Sequence, residues 1–412
     1  MRAMLLIVLS TMSVSALAAP LPEAPGLLPT PVVRPLLEQD PSVAAARASL
    51  EMARQEAGIL DSSPYEWNAR LSSQRRTLQS GPRYQEWNVG IERTLRLPGK
   101  ATADRNIGKA TVEEAEARYG DAKHEAAREL LTLWLDGLHA EHAHELAGAN
   151  VQAAQENLNA VEKRVRAGDA ARLDISLAQA ELAEQKRIAN DAKTQVAVAN
   201  ARLQARFPGL GRQFTVAPTP LPLKENAAFW RERILAQSDE LKTVQAQLQR
   251  ALAQAQRARA DRVPDPTIGV YNASEVGGQE RITGMMISMP IPGGKRRLHA
   301  AKALYAVEAA RQEAEFRKRQ LDAEIASNVA AAEGAYESLK IAEAGASAMQ
   351  DNARLVQRAY SLGEADLQAL LSARRQATMA AQNALAARMA ALKNYYLLFI
   401  DAHLVWDLEH DE

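Results

Sequence analysis

The chain contains no cysteine among its 412 residues. That excludes disulfides, cysteine-based zinc sites, a thiol nucleophile and a lipid-modified N-terminal cysteine. Net charge is missing too, because 50 basic side chains balance 50 acidic ones. The surface therefore lacks the basic excess that a nucleic-acid partner requires. Aromatic residues make up only 5% of the chain, and much of its 47% apolar content is alanine, a composition suited to closely packed helices rather than one large globular core. No stretch of the mature chain reaches the ~18 consecutive apolar residues of a membrane-spanning helix. Proline is absent between Pro98 and Pro208 and again after Pro292. No nucleophile elbow or dinucleotide fingerprint is present, and Gly99-Lys100 and Gly294-Lys295 lack the glycine spacing and following Ser/Thr of a phosphate loop. No catalytic residue and no cofactor site are expected, so the chain does not read as an enzyme.

The N-terminus reads as a targeting signal. Met1-Arg2 is followed by an apolar run from Met4 to Val14 and by Ala16-Leu17-Ala18, a small-x-small cleavage pattern that assigns residues 1–18 to a signal peptide. Residues 19–41 are proline-rich and read as an extended segment. An exported chain without cysteine must draw its stability from packing or assembly.

Periodicity then divides the chain into two similar halves. The first, 42–206, reads as a helix over Ser42–Leu60, two strands, and a long helical hairpin broken near Ala167-Gly168. The strands are Tyr65–Ser72 and Trp87–Glu92, the latter resuming at Leu95–Leu97, with a turn over Gln79–Pro82. A proline-containing linker, 207–237, precedes the second half, 238–405. There a helix over Asp239–Ala260, a strand at Ile268–Tyr271, a turn at Gly277-Gly278 and a strand with Met285, Ile287, Met289 and Ile291 on one face lead to another helical hairpin, broken near Leu362-Gly363. Residues 406–412 form an acidic tail. Lys100 maps to Lys295, Gly168 to Gly363 and Ala178 to Ala373, each 195 residues on. A fixed offset together with a repeated element order marks a duplication.

Ala101 to Val165 as one helix would reach roughly 100 Å, which no single globular core accommodates. Strands with one apolar and one polar face in an exported chain fit a transmembrane β-barrel. Four strands do not close a useful barrel, so several copies must contribute. The residues expected to face lipid are Trp67, Trp87, Val89, Ile91, Met285, Ile287 and Met289, with Trp67, Trp87 and Tyr84 in an interfacial aromatic belt. The alternative is a small soluble β-cap with its apolar face on protein.

The chain resembles the TolC family of outer-membrane efflux channels. The residues that carry the resemblance are Arg164-Val165-Arg166-Ala167-Gly168, Leu173-Asp174-Ile175, Ala178 and Leu182 in the first half, and Ala359-Tyr360-Ser361-Leu362-Gly363, Leu370-Leu371 and Ala373 in the second. The strand ends Gly99-Lys100 and Gly294-Lys295-Arg296-Arg297, the modest length and the missing lipid-anchor cysteine resemble the CzcC-type heavy-metal branch. The resemblance implies a mainly α protein with a small β part: a long antiparallel α-helical barrel, and two β-hairpins per protomer that complete a trimeric 12-stranded barrel in the outer membrane. It also implies a homotrimer that contacts outer-membrane lipid, a periplasmic adaptor and an inner-membrane RND-type pump, and passes metal cations or, alternatively, drugs and other organic solutes. A periplasmic helical adaptor without a pore is the reading of a different class.

Three groups of residues are singled out. Arg164, Arg166, Gly168, Leu362, Gly363 and Glu364 lie where the long helices reverse and are candidates for adaptor docking. Asp174 and Asp366 are candidates for a carboxylate ring at the periplasmic aperture, since such rings favour cations. The family often carries acids six and nine residues after the second glycine, where this chain has Ala369 and Ser372. His139 and His142, one helical turn apart near His144, are a weak metal signal that also reads as a polar helix face.

Overall fold

The computed structural model describes residues 27–210 and 217–406; the signal-peptide assignment and the tail beyond Trp406 lie outside them. A short helix α1 (Thr30–Glu38) precedes α2 (Pro41–Asp61), strands β1 (Trp67–Thr77) and β2 (Arg83–Thr94), the 70-residue helix α3 (Pro98–Ala167) and α4 (Arg172–Arg206). The order then repeats. After α5 (Ala227–Gln237) come α6 (Asp239–Ala260), β3 (Thr267–Glu275), β4 (Glu280–Ser288), the 69-residue α7 (Gly294–Leu362) and α8 (Leu367–Asp401). α3 is about 105 Å long.

Both long helices start behind proline or glycine and run without an internal proline. Each ends at a glycine in the left-handed region, Gly168 at φ 84° and Gly363 at φ 80°. The caps match bond for bond. Asp169 N–H donates to the Arg164 carbonyl at 2.8 Å, and Glu364 N–H donates to the Ala359 carbonyl at 2.9 Å. This doubly bonded reversal satisfies carbonyls that the helix end leaves orphaned. A side chain at either glycine would meet open space, so the φ value is what the glycine supplies.

α4 and α8 are each half as long as the helix they fold back on. The remaining half of α3 is covered by α2, and that of α7 by α6. The largest core gathers at mid-height, where the shorter helices meet. It holds Leu130, Leu131 and Trp134 of α3, Phe207 after α4, and Leu392, Tyr396 and Ile400 of α8. The four strands form one antiparallel sheet in sequence order, with β1 and β4 at open edges.

Several expectations need correction. The proline-rich segment is not extended throughout, since residues 30–38 are helical. Pro31 sits in the first turn, where no N–H is needed, and burial of Val33 and Leu37 outweighs the bond lost at Pro35. Residues 227–237 of the expected linker are helix α5, which is capped by Asn226 and buries Trp230 and Ile234. Trp406 belongs to the core rather than the tail, because its indole N–H donates to the Leu28 carbonyl at 2.8 Å. Residues 95–97 and Met289 lie beyond the strands.

Candidate functional site: sheet faces, hairpin tips and repeat junctions

The register puts residues of one parity on one face of the sheet. Leu71 pairs with Val89, and Ala69 with Ile91. Ile91 in turn pairs with Val270, and Val270 with Met285. Trp67, Trp87, Val89, Ile91, Met285 and Ile287 therefore share one pleat face, and all are exposed in the single chain. Tyr84 has the opposite parity and lies against the Val276–Gly278 turn, so it is not in the same belt as the tryptophans. The other face carries paired charges: Arg70 with Glu92 at 3.1 Å, and Arg76 with Glu86 at 3.0 Å and with Glu275 at 3.1 Å. The first face also carries Arg75, Gln85 and Arg93, but it is apolar around Val89, Ile91 and Met285 where the second is ion-paired, an alternation compatible with a barrel around water.

At the far end of the helices the two reversals sit side by side on a shared core. Val161 of α3, Ala178 and Leu182 of α4, Tyr360 of α7, and Leu367 and Leu370 of α8 form it. The Arg164 guanidinium lies over the Tyr360 ring, 4.7 Å from its centroid, and joins the two tips. Leu362, Gly363 and Glu364 are exposed, as is Gly168. Arg166 lies in the last turn of α3, where a cation complements the helix dipole.

Asp174 and Asp366 both cap helices. Asp174, in the first turn of α4, accepts from the Ala171 N–H at 3.3 Å. Asp366, at the N-cap of α8, accepts from the Ala369 N–H at 2.7 Å. Ala171 and Asp366 are equivalent positions, as are Asp174 and Ala369. Each tip thus carries one half of a reciprocal capping box, on opposite members of the pair. His142 Nδ1 lies 3.3 Å from Glu145, and among the described residues no group of three or more potential ligands, His139 and His142 included, is placed to hold a metal ion.

Two clusters were not visible in the sequence. At the start of α3 the Lys100 ammonium is only 2% exposed and reaches Asp265 at 3.0 Å and Asp261 at 3.3 Å. Asp265 also accepts from the Leu97 N–H at 3.1 Å and the Tyr65 hydroxyl at 2.8 Å. Burial alone would push the Asp265 pKa up, but Lys100 and these donors outweigh it and hold the carboxyl below its usual range. At mid-height, Asp401 at the end of α8 takes an ion pair from Arg128 and lies 3.4 Å from His124 Nε2, both on α3. Burial opposes the charged form of His124, yet its bonds to Asp401 and Glu125 raise its pKa to about 9. His403 stacks on His124 with ring centroids 5.6 Å apart. These groups line a cavity of about 270 Å³ with Asp121, Glu240, Arg317 and Glu324.

A repeated hairpin-and-rod unit with an apolar sheet face is matched by one family model, described as outer membrane efflux protein, over residues 32–206 and 230–398. The chain belongs to the outer membrane efflux protein family. The two matched segments coincide with the two structural repeats. Members are passive channels, and this chain is a channel rather than an enzyme. Solved structures share the fold. The outer-membrane channel OprN superposes with a TM-score of 0.77 at 19% identity, over 92% of this chain and 91% of that one. The Campylobacter jejuni CmeC outer membrane channel gives 0.76 at 16% identity, over 92% and 86%. The open state of the Neisseria gonorrhoeae MtrE outer membrane channel gives 0.74 at 20% identity, over 93% and 90%. No curated protein matches the sequence. Among the described residues no helix is long and apolar enough to cross a membrane.

Proposed function

We propose that the chain is the trimeric exit duct of a tripartite efflux system in the outer membrane, and that its cargo is heavy-metal cations. The observation that carries the duct is the sheet: four strands in sequence order, both edges open, one face with an apolar centre of Val89, Ile91, Val270 and Met285 and the other tied by ion pairs. Three copies joined β4 to β1 give twelve strands, enough to enclose a water-filled lumen. The long helices then extend the conduit into the periplasm. Their tips, with Arg164, Arg166, Leu362 and Glu364 around the two left-handed glycines, are the docking surface for a periplasmic adaptor. The adaptor links the duct to an inner-membrane pump of the RND type, which supplies the energy.

The cation cargo rests on the CzcC-like strand ends and on the carboxylates near the tips. Three copies of Asp174 or Asp366 form an acidic ring, and a carboxylate that caps a helix keeps lone pairs for a passing ion.

Two experiments test this reading. Val89→Arg and Ile287→Arg each place a cation on the lipid face, costing ~2–4 kcal/mol at the bilayer midplane. Both variants should lose outer-membrane insertion in fractionation, and normal insertion of both would overturn the assigned face. A strain lacking the chain should become sensitive to zinc, cobalt, cadmium, nickel or copper and recover with the intact gene. Sensitivity confined to dyes, detergents and antibiotics would move the cargo to organic solutes and keep the duct.

A further inference from the structure

The arginines of the sheet fall into two groups. Those on the ion-paired face have partners: Arg70 reaches Glu92, and Arg76 reaches Glu86 and Glu275. The face with the apolar centre carries four others, Arg75, Arg83, Arg93 and Arg281. It carries no acid. Glu86, Glu92, Glu275 and Glu280 are the acids of the four strands, and all have the opposite parity. Arg93 lies nearest the helices and is satisfied locally. Its Nε donates to the Tyr65 carbonyl at 3.2 Å, and its guanidinium lies over the Trp67 ring, 5.4 Å from the centroid. Arg75, Arg83 and Arg281 are exposed, and among the described residues their guanidinium groups have no hydrogen bond or ion pair.

Position separates these three from the rest. The row next to the helices holds Trp67, Arg93, Ile268 and Ile287. Leu95 extends the ladder one row toward the helices, since its N–H donates to the Pro266 carbonyl at 2.8 Å, and it is 42% exposed. From Leu95 to Trp87 is about 26 Å of strand, or about 20 Å of membrane thickness at the ~40° tilt of barrel strands. The apolar band of such barrels is about 25 Å tall and ends in aromatic residues. Trp87 therefore marks the rim away from the helices. Arg281 stands level with it, across Ser274. Arg75 and Arg83 lie one and two rows beyond, as diagonal neighbours on β1 and β2 beside the hairpin turn.

We propose that Arg75, Arg83 and Arg281 form a binding surface for the phosphate groups of the glycolipid in the outer leaflet of the outer membrane. This rests on the lipid-facing reading of the sheet given above. The helices leave from the opposite end of the strands, so headgroups that meet this rim belong to the leaflet away from the periplasm. A cation costs little at the rim of the apolar band, unlike at its middle. The planar guanidinium fork matches a phosphate with two parallel bonds. No acid on this face competes for the three groups, whereas the arginines of the other face are already held by glutamates. Each cation near an anionic lipid surface contributes about fivefold in affinity.

The test uses the full-length chain in detergent, with bisphosphorylated lipid A as the probe, and reads bound lipid by native mass spectrometry. Wild-type protein should hold lipid A about a hundredfold more tightly than the triple variant Arg75→Gln, Arg83→Gln, Arg281→Gln. Lysine at the same three positions keeps the charge and should lose only severalfold. Removing equal charge at the far tips, by Lys163→Gln, Arg166→Gln and Arg172→Gln, should change nothing, and an equal loss there would reduce the effect to net charge and overturn the site. Displacement of lipid A by equimolar inorganic phosphate would make this a site for a free anion. Equal affinity for phosphatidylglycerol would overturn the assignment to the outer leaflet. If wild type and triple variant bind lipid A alike while Val89→Arg blocks insertion, the surface falls and the lipid-facing sheet stands. If Val89→Arg and Ile287→Arg insert normally, the face assignment falls and the surface with it.

Discussion

The two repeats each contain a junction where a returning helix ends against the start of a short one, and the two junctions are built with opposite charge. In the first, Arg206 ends α4 and reaches Asp40 at 3.1 Å and Glu129 at 3.0 Å. One guanidinium closes the gap, and Phe207 and Leu210 fill the space behind it. In the second, the position equivalent to Arg206 is Asp401 and that equivalent to Glu129 is Glu324, while the N-cap equivalent to Asp40 is Ser238, with Glu240 two residues further on in the first turn of α6. Three carboxylates would meet there. The fold resolves the conflict by borrowing. Arg317 of α7 pairs with Glu240 and with Glu324 at 3.4 Å, while His124 and Arg128 of α3 take Asp401. The first junction is therefore self-contained, and the second is held by the first repeat. A cavity of about 270 Å³ remains where the single arginine would have been. The difference shows how a duplicated unit becomes dependent on its twin.

The largest expected effect comes from breaking the borrowed junction. Asp401→Ala leaves Arg128 and a protonated His124 without their shared anion in a mostly buried site, which should cost ~3–5 kcal/mol. Arg206→Ala should cost less, ~1–3 kcal/mol, because Asp40 keeps its capping bond from the Ser42 N–H at 2.8 Å. Denaturant midpoints in detergent would rank the two. The reverse ranking would mean that the self-contained junction is the more important one.

A second prediction sharpens the comparison through pH. The His124 pKa is raised to about 9. Its contribution to stability is therefore fully present below the unfolded value near 6.5 and is lost as pH rises through about 9. The effect should be a few kcal/mol across that window, and His124→Gln should flatten the profile. Asp401 behaves in the opposite sense: its folded pKa is depressed by His124 and Arg128 against the pull of burial, so its contribution is lost only as pH falls below the ordinary carboxylate range. A wild-type profile that does not change between pH 6.5 and 9 would remove His124 from the network. Arg206→Ala should leave this dependence intact.

The smallest effect tests where the repeats are the same. Gly168→Ala and Gly363→Ala each place a side chain at φ near 80° with open space around it, so each should cost ~1–2 kcal/mol from backbone strain alone. Equal losses are expected, and unequal ones would show that the tips are not equivalent in the assembled protein.

Much of this was legible in the sequence. Helix lengths, the two reversals, the strand faces and the duplication follow from proline punctuation, period and glycine position, all of which act over a few residues. The element bounds of α6 and the facing of Val89, Ile91, Met285 and Ile287 agree with those signals. Tyr84 was not placed correctly, because one residue of register decides its face and no alternating run extended to it. The helical character of 30–38 was hidden by its two prolines, Pro31 and Pro35, whose cost is offset by a core built largely from distant residues of α3 and α8.

The chain by itself determined its rods, its turns and the apolar and polar faces of its strands, because local propensity and side-chain period fix them. Which charges are buried was decided only in three dimensions. Lys100 reads as an ordinary strand-end lysine, and Asp401 and His124 lie 277 residues apart. Packing brings them out of water beside partners from the other repeat, and the low polarity there turns unremarkable residues into the ties between the halves. The same step leaves β1 and β4 as the unpaired edges of the sheet, which the local alternation of the strands does not determine.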